Sequence, residues 1–465
     1  MSKVHFIGIC GVAMSAIAIA FHKKGWQVTG SDVGFFPPIS TYLKNNNIEF
    51  YPGWHVEKMM KGGKPDIVVA GNVACSQNPE WLYAQEHNVN FKSYPEVIAE
   101  YFVKPNSIVC AGTYGKTSSS ALLSWILTHA GFDPSYMFGG LSCNNINSAQ
   151  MSEDGNWSVL EGDEYKSARW DNRPKFAHYS PTHLLLTSIS WDHADIYSTE
   201  DAYFRVFQQL LLPIEEKKQI VACKDDPGIS KLLQVTRFTF QDVTTYARRD
   251  ANYTFTNPQQ THQGLSFDIG HKNESYHIVS PMLGSYQAEN ICGCFAMAHQ
   301  IGAPVEKIVE AISAFKGLKR RLEKRHEGAV TVIDDIAHSP AKAKSALQTL
   351  RQIYKGKIFA VFEPNTGNRR PQSAPSYSHA FDEADEVIIP VLTKLKTDPE
   401  DPDKPFDGQD LSKVISATHS NALHIANDQD LITRLATSPQ PGDVIVFLGS
   451  HGFRGMITEL IDKIG

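Results

Sequence analysis

The sequence contains few cysteines, and they are scattered along the chain. Seven occur in 465 residues, and no two of them form a C-x-x-C pair. A disulfide framework or a cysteine-pair zinc site is therefore not expected, and a reducing cytoplasm is the expected location. The chain also lacks an apolar run of about 18 residues, the length that predicts a transmembrane helix. Its first residues hold one lysine and no long apolar core, so they predict mature structure and not a signal peptide.

Long runs of one charge sign are also missing. The formal net charge is −6, from 44 Lys and Arg against 50 Asp and Glu. This balance argues against a general nucleic-acid or membrane-surface binder, so neither partner is expected. The hydrophobic content of 42% and charged content of 20% are typical of a globular protein.

Short apolar runs alternate with helical patterns along the whole chain. This alternation is typical of βαβ units and parallel sheets, so we predict the α/β class. Polar breaks fall near residues 103–107 and 315–319. They predict three domains, namely a Rossmann-like domain over residues 1–105, a central P-loop domain over 106–317 and a Rossmann-like domain over 318–465. Among the expected elements are a strand over residues 184–189 and a helix over residues 287–301.

A glycine-rich loop with the sequence G-T-Y-G-K-T stands between a predicted strand and a predicted helix. A helix N-terminus favours anionic phosphate, and glycine permits close backbone approach. Lys116 would reach the outer phosphates, and the Thr117 hydroxyl would hold Mg²⁺. Cys110 stands where the longer P-loop motif has its first glycine, so a chance glycine turn is the alternative. The predicted ATP-binding residues here are Gly112, Thr113, Tyr114, Gly115, Lys116, Thr117 and Ser118.

Two further places carry possible binding chemistry. Gly8 and Gly11 follow the first predicted strand, and Asp32 ends the second, where acidic residues often bind a ribose. The alternative is a plain Rossmann-like turn. Glu161 closes one predicted strand and His193 follows another, so both could join Thr117 around Mg²⁺. For His193 the alternative is a helix-capping turn. Asp163 and Glu164 are weaker candidates for metal or phosphate ligands.

Five segments, in order along the chain, resemble the Mur ligase family, whose members use ATP to extend UDP-N-acetylmuramate with amino acids or peptides. They are residues 8–14, the phosphate loop 112–117, residues 161–165, residues 192–195, and the pair 320–323 with 334–340.

The resemblance assigns roles residue by residue. It implies a UDP-sugar site at Gly8, Gly11, Val12, Ala13, Met14, Ser31, Asp32 and Asn72. It implies that ATP also meets Asn290, Arg321 and Asp335, that Lys116, His193 and Arg321 are catalytic, and that Thr117, Glu161 and His193 hold Mg²⁺. It places the incoming amine near His338, Asn365, Arg369, Arg370 and His451. For Asn290 the alternative is an ordinary surface helix start, and for Arg321 it is a solvated basic linker.

Two branches of the family fit, and they differ in the amine. One adds L-alanine to UDP-N-acetylmuramate, and the other attaches L-alanyl-γ-D-glutamyl-meso-diaminopimelate during wall recycling. Gln208 stands where many other members carry a carbamylated lysine, which fits both branches. Three stretches resemble the tripeptide branch, namely residues 35–41, residues 71–73 with 78–79, and residues 171–179.

The sequence therefore predicts an ATP- and Mg²⁺-dependent ligase of cell wall biogenesis, monomeric or weakly dimeric, that joins UDP-N-acetylmuramate to the tripeptide. L-alanine is the alternative amine. A nucleotide-binding homologue without ligase activity is the alternative of another class, because Tyr114, Gln287, Ser339 and Asn365 depart from the family's usual residues. The further alternative, a NAD-dependent dehydrogenase, is supported by the first 32 residues alone.

Overall fold

The computed structural model describes residues 1–35, 39–71, 76–191, 196–197, 199–214, 220–393 and 405–465. The chain divides into two compact units. The first holds residues 1–258, 266–281 and 286–317, and the second holds residues 259–265, 282–285 and 318–465. Sheets with flanking helices form both units, which confirms the predicted α/β class. Within the ranges just given, no helix has the length and apolarity needed to cross a membrane.

The first sheet is entirely parallel, with strand order β3-β2-β1-β4-β5. Its strands are β1 (Lys3–Ile7), β2 (Gln27–Asp32), β3 (Glu49–Pro52), β4 (Ile67–Ala70) and β5 (Phe91–Ser93). Its helices are α1 (Val12–Lys23), α2 (Ile39–Asn45), α3 (Val56–Met59), α4 (Pro79–Glu86) and α5 (Tyr94–Tyr101). The strand order reverses at β1, so the loop after β1 lies at a topological switch point, where α/β sheets bind ligands.

The second sheet has ten strands, in the order β17-β16-β15-β14-β13-β12-β6-β9-β7-β8. Its strands are β6 (Asn106–Ala111), β7 (Ser135–Met137), β8 (Ala149–Gln150), β9 (Trp157–Gly162), β12 (His183–Leu186), β13 (Ile220–Cys223), β14 (Thr244–Ala247), β15 (Tyr253–Thr261), β16 (Gly264–His271) and β17 (Glu274–Ser280); β10 (Lys166–Ala168) and β11 (Asp171–Pro174) form a separate hairpin. The accompanying helices are α6 (Lys116–His129), α7 (Glu200–Leu211), α8 (Pro227–Gln234), α9 (Gln287–Gln300) and α10 (Val305–Ala314).

Strand β6 lies between β9 and β12 and is parallel to both. Ala111 pairs in register with Gly162 of β9 and with Leu186 of β12. The residues that follow these three strands therefore meet at one edge of the sheet. The predicted strand over 184–189 ends early, at Leu186. The reason is that Thr187 leaves the strand direction to bond the phosphate loop, its Oγ1 donating to the Tyr114 carbonyl at 2.5 Å.

The third sheet belongs to the second unit, with strand order β18-β19-β23-β20-β21-β22 and only β18 antiparallel to its neighbour. Its strands are β18 (Glu323–Glu327), β19 (Thr331–Asp335), β20 (Ile358–Glu363), β21 (Glu386–Ile389), β22 (Ala422–His424) and β23 (Val444–Gly449). Its helices are α11 (Pro340–Ile353), α12 (Gly408–Ser416), α13 (Asp428–Thr437) and α14 (Met456–Ile464). Successive residues of β23 join two apolar clusters, Val446 in one and Phe447 in the other, so helices cover both faces.

The β10–β11 hairpin connects the two sheets of the first unit. Trp170 at its tip stacks on Trp81 of α4, with ring centroids 5.7 Å apart and planes 10° from parallel. Phe91 of β5 meets the same Trp170 ring edge-on at 5.4 Å. The base of the hairpin lies beside the end of β9 in the second sheet, where the Phe176 backbone N–H donates to the Asp163 carbonyl at 3.3 Å.

A fully buried carboxylate lies among β1, β2 and α4. Glu80 accepts hydrogen bonds from Ser31 Oγ at 2.5 Å, Tyr51 OH at 2.7 Å and the His55 backbone N–H at 2.8 Å. Its Oε2 also lies 3.4 Å from His5 Nε2. Burial raises the pKa of Glu80, but His5 and the hydroxyl donors outweigh burial and leave that pKa below its ordinary value. The carboxylate is therefore charged and holds β1, β2 and α4 together.

We predict that replacing this carboxylate causes a pH-dependent loss of stability. Glu80→Gln should lower the free energy of unfolding by about 3 kcal/mol at neutral pH, because it breaks a buried charge cluster. Since the folded pKa is lowered, the contribution is complete above the unfolded Glu pKa of about 4.3 and is lost as pH falls through the folded value. Denaturant titrations at neutral and acidic pH measure this difference.

The matched control is Glu86→Gln, which changes an exposed glutamate on the same helix. It should stay within about 0.5 kcal/mol of the parent protein at both pH values. Equal losses in the two variants, or a loss for Glu80→Gln that does not shrink on acidification, would contradict the assignment.

Candidate active site

The phosphate loop connects β6 to α6 and needs glycine at both of its glycine positions. Gly112 has a φ of 147° and Gly115, which precedes α6, has a φ of 82°. A Cβ on Gly112 would lie 2.2 Å from Thr187 Oγ1 and 2.8 Å from the Ser188 carbonyl oxygen. Any other residue would therefore force the loop away from the strand ends. The first turn of α6 follows directly and presents backbone N–H groups that suit phosphate.

The residues after β12 fix the shape of this loop. Thr113 donates its backbone N–H to the Ser188 carbonyl at 2.9 Å and its hydroxyl to the Ser190 carbonyl at 2.8 Å. Tyr114 donates its backbone N–H to Ser188 Oγ at 2.9 Å, while its side chain is exposed. Tyr114, which departs from the usual residue of the family that the chain resembles, therefore leaves the loop backbone braced. The sequence had not indicated the bracing by Thr187 and Ser188.

Acidic residues at the end of β9 and directly after it face the start of α6. Lys116 Nζ lies 3.0 Å from Glu164, a fully buried carboxylate. Thr117 Oγ1 donates to Glu161 Oε1 at 2.6 Å, and the Gly139 backbone N–H donates to Glu161 Oε2 at 2.5 Å. Glu164, which had only a weak claim from sequence, is thus the direct partner of the loop lysine.

The charge of Lys116 follows from these neighbours. Burial lowers the pKa of the ammonium group, but the carboxylates of Glu164, Asp163 and Glu161 together outweigh burial and raise it above its ordinary value. The ammonium group therefore remains protonated at neutral pH. It offers a fixed positive charge where the loop would place phosphate.

The start of α9 packs against the loop. Asn290 is buried, its Nδ2 donates to Gln287 Oε1 at 3.1 Å, and its Oδ1 would lie 2.4 Å from a Cβ on Gly115. The alternative of an ordinary surface helix start is therefore wrong for Gln287 and Asn290. At the start of the helix the exposure changes within one residue, since Tyr286 is half exposed and Gln287 is buried.

The donor set beside the loop suits a magnesium ion. Glu161 and Thr117 offer carboxylate and hydroxyl oxygens, the hard ligands that Mg²⁺ prefers, and phosphate oxygens and water usually complete its shell. The predicted ligand His193 and the predicted sugar-site residue Asn72 lie outside the described residues. Among the residues that are described, no group of three or more His, Cys, Asp or Glu is arranged to hold a metal ion.

The loop after β1 has the geometry of an anion-binding turn. Gly8 has a φ of 87° and donates its backbone N–H to the Ser31 carbonyl at 2.8 Å. Asp32 accepts the Cys10 and Val33 backbone N–H groups at 2.8 and 2.7 Å, so its carboxylate closes the loop. Helix α1 begins directly after Gly11. Along its first turn, exposure falls from Val12 (39%) through the half-buried Ala13 to Met14 (5%).

In the second unit, Arg320 and Arg321 differ in their hydrogen bonding and exposure. Arg320 has a φ of 59°, and its guanidinium donates to the carbonyls of Gly449, Ser450 at 3.0 Å and His451 at 2.9 Å. Arg321 is exposed. Arg320 is thus anchored to the turn after β23, whereas the exposure of Arg321 leaves the alternative of a solvated basic linker open for that residue.

Asp335, the other predicted ATP-site residue of the second unit, lies at the edge of the third sheet where its parallel strands end. Asp335, at the end of β19, accepts the backbone N–H groups of Leu322 and Ala337 at 2.7 and 2.8 Å. Register pairs Asp335 with Leu448 and Glu363 with Gly449, so Asp335, Glu363 and Gly449 end neighbouring strands. The carboxylate of Asp335 therefore braces the turn that carries Arg321.

Several of the predicted amine-site residues form hydrogen bonds within the protein. Arg369 is buried and donates to the Thr393 and Phe406 carbonyls at 2.7 and 3.2 Å, which favours a bracing role over the predicted contact with substrate. Asn365 caps the short turn that follows β20, with its side chain accepting from Asn368. The other three are a half-buried His338 bonded to the Ile336 carbonyl at 2.7 Å, a half-buried Arg370 and an exposed His451.

Comparison with known proteins gives matches along nearly the whole chain. The profile of the Mur ligase family catalytic domain matches residues 3–103, that of the Mur ligase middle domain residues 110–298, and that of the Mur ligase glutamate ligase domain residues 320–451. UDP-N-acetylmuramate–L-alanine ligase of Desulfitobacterium hafniense is 30% identical over 96% of this chain and 96% of its own. The chain belongs to the Mur ligase family.

Mur ligases are ATP-dependent enzymes that form amide bonds, and this protein is one of them. UDP-N-acetylmuramate–L-alanyl-γ-D-glutamyl-meso-2,6-diaminoheptandioate ligase of Haemophilus influenzae is 29% identical, over 100% of this chain and 99% of its own. This membership favours the ligase over the non-ligase homologue and the dehydrogenase.

Solved Mur ligases share the three-domain fold. UDP-N-acetylmuramate-alanine ligase from Thermotoga maritima superposes with a TM-score of 0.79 at 21% identity, covering 100% of this chain and 99% of that one. A murein peptide ligase from Psychrobacter arcticus gives a TM-score of 0.69 at 24% identity, with the same coverage of both chains. These structures confirm the predicted combination of N-terminal, central and C-terminal Mur ligase domains.

Gly115→Ala should damage ATP use specifically. The left-handed conformation costs a non-glycine residue roughly 1–2 kcal/mol, and here the new Cβ would also collide with Asn290 Oδ1. We expect the KM for ATP to rise by roughly tenfold or more, because about 1.4 kcal/mol corresponds to a factor of ten. Steady-state kinetics with varied ATP measure the effect.

Gly131→Ala is the control for strain alone. Gly131 has nearly the same φ, 83°, but a Cβ there would meet nothing within 4 Å. It should lower the thermal midpoint while leaving the KM for ATP unchanged. If both variants raise that KM equally, the tight contact of Gly115 with Asn290 is not important for the site.

Proposed function

We propose that this Mur ligase joins the lactyl carboxylate of UDP-N-acetylmuramate to the amine of L-alanyl-γ-D-glutamyl-meso-diaminopimelate, as in peptidoglycan recycling. The observation that carries the proposal is end-to-end similarity to a ligase with that name in Haemophilus influenzae, over 100% of this chain. The rival substrate is L-alanine, which the similarly related enzyme of Desulfitobacterium hafniense is named for.

The β10–β11 hairpin supports the tripeptide assignment. Residues 171–179, one of the stretches that resemble the tripeptide branch, form β11 and the turn after it. Lys175 in this stretch reaches Asp163 in the acidic segment beside the phosphate loop, with 2.6 Å between Nζ and Oδ2. A stretch that resembles the tripeptide branch therefore contacts the acidic segment beside the phosphate loop.

The proposed reaction passes through an acyl phosphate. The lactyl carboxylate attacks the γ-phosphorus of ATP and ADP leaves; the amine then attacks the acyl carbon, phosphate departs, and the amine loses a proton. Lys116 would hold the charge that moves onto the phosphoryl oxygens, and the N–H groups at the start of α6 would bind the phosphates. No side chain needs to act as a nucleophile.

Other side chains take supporting parts in this proposal. Glu161 and Thr117 would hold Mg²⁺, which supplies positive charge to the phosphate oxygens when bound. The loop after β1, closed by Asp32, would receive the diphosphate of the UDP-sugar. Arg321 and Asp335 are assigned contacts with ATP in this proposal, as the family resemblance implies.

Lys116→Met should lower amine-dependent phosphate release by about a hundredfold or more, because it removes a fixed charge at the developing oxyanion. Lys166→Met, which changes an exposed lysine of the hairpin, should leave the rate within about twofold, since surface changes rarely matter. Phosphate release and the thermal midpoint are measured together. A Lys116→Met enzyme that keeps its turnover would show that the loop does not bind ATP.

The choice of amine is tested by phosphate release with ATP, Mg²⁺ and UDP-N-acetylmuramate, adding either tripeptide or L-alanine. We expect kcat/KM for the tripeptide to exceed that for L-alanine by at least about tenfold, a difference of about 1.4 kcal/mol in transition-state binding. The reverse preference would assign the protein to the alanine branch. Phosphate release that no amine stimulates would contradict the proposed reaction itself.

A further inference from the structure

Lys175 is a second buried lysine beside the phosphate loop. Its side chain is 10% exposed, and its Nζ lies 2.6 Å from Asp163 Oδ2. The ammonium group also lies over two aromatic rings, 5.0 Å from the Tyr94 centroid and 5.7 Å from the Tyr165 centroid. A lysine with a carboxylate and two rings around it has a fixed position and little freedom to move.

The backbone holds this lysine against the acidic segment. Lys175 donates its N–H to the Tyr165 carbonyl at 2.9 Å, and Phe176 donates to the Asp163 carbonyl at 3.3 Å. The Asp163 carboxylate in turn accepts the Tyr165 N–H at 3.1 Å. The ion pair therefore forms between two segments that are already hydrogen-bonded to one another.

Lys175 reduces an excess of negative charge beside the phosphate loop. Glu161, Asp163 and Glu164 lie within four consecutive residues, and Lys116 contacts the last of them directly. Glu164 has Lys116 as a direct partner, and Asp163 has Lys175. The 2.6 Å ion pair with Lys175 and the hydrogen bond from the Tyr165 N–H both favour the ionised form of the Asp163 carboxylate.

We propose that Lys175 is a positioning residue that keeps Lys116 available for phosphate by neutralising Asp163. Without Lys175, Asp163, whose side chain is 26% exposed, would lose its ion-pair partner beside Glu164, the residue that Lys116 contacts. Lys116 would then be attracted to both carboxylates. Attraction at short range in a poorly solvated site is strong enough to hold a lysine away from a ligand. The proposal rests on ATP binding at the Lys116 loop, as proposed above.

Three variants test this role. Lys175→Met should raise the KM for ATP by roughly tenfold and leave kcat at saturating ATP within about threefold, because the second carboxylate competes with phosphate for Lys116. Lys175→Met combined with Asp163→Asn should recover most of the lost ATP affinity, since the competing charge is gone. Lys175→Arg should stay close to the parent enzyme because it retains the positive charge.

Lys231→Met is the matched control. Lys231 also makes an ion pair, 2.9 Å from Glu200, and also lies over a ring, 4.4 Å from the Phe204 centroid, but it sits on α8 outside the site. It should leave the KM for ATP unchanged. Thermal midpoints of all variants separate loss of folded enzyme, which lowers kcat, from the predicted change in KM.

Two results would overturn the inference. An unchanged KM for ATP in Lys175→Met would show that Lys116 does not depend on Lys175. A raised KM that Asp163→Asn fails to relieve would show that Lys175 acts through direct contact with a substrate or through packing. Neither result affects the proposed function, which fails separately if Lys116→Met keeps its turnover.

Discussion

The pairing of Glu164 with Lys116 and of Asp163 with Lys175 is the interaction on which the proposed active site depends. Parallel strands β6, β9 and β12 end at one edge, which brings an acidic segment, a phosphate loop and its bracing residues together. Three carboxylates at such an edge would repel one another and a triphosphate. Lys116 and Lys175 reduce that negative charge, and a bound magnesium ion at Glu161 would reduce it further.

The two phosphate-type loops are built in the same way but closed differently. In each, a glycine with positive φ leaves a buried parallel strand, and a helix follows. The loop after β1 is closed by one side chain, Asp32, whose carboxylate accepts backbone N–H groups. The loop after β6 is closed by the backbone and hydroxyl groups of residues 187–190. Both loops are therefore rigid before any ligand arrives, which reduces the entropy lost on binding.

Much of the fold and part of the site follow from local patterns. Apolar runs with flanking turns predicted the α/β class, and G-T-Y-G-K-T predicted a strand–loop–helix that is present. Bracing by Thr187 was not predictable, because it depends on β12 lying beside β6, a pairing between residues far apart in sequence. The same holds for Lys175, whose partner Asp163 is defined only once the hairpin folds back. The burial of Arg369 was also not predictable from the sequence, since an arginine next to another arginine is expected at the surface.

The β10–β11 hairpin makes one contact at its tip and one at its base, and a fixed number of residues separates the two. Trp170 at the tip is held by Trp81 and Phe91 on the first sheet, and Lys175 at the base is held by Asp163 on the second. An inserted or deleted residue between positions 170 and 175 would unstack the tryptophans or withdraw the lysine. Homologous enzymes that use this hairpin in the same way should therefore vary freely in its exposed side chains but keep its length.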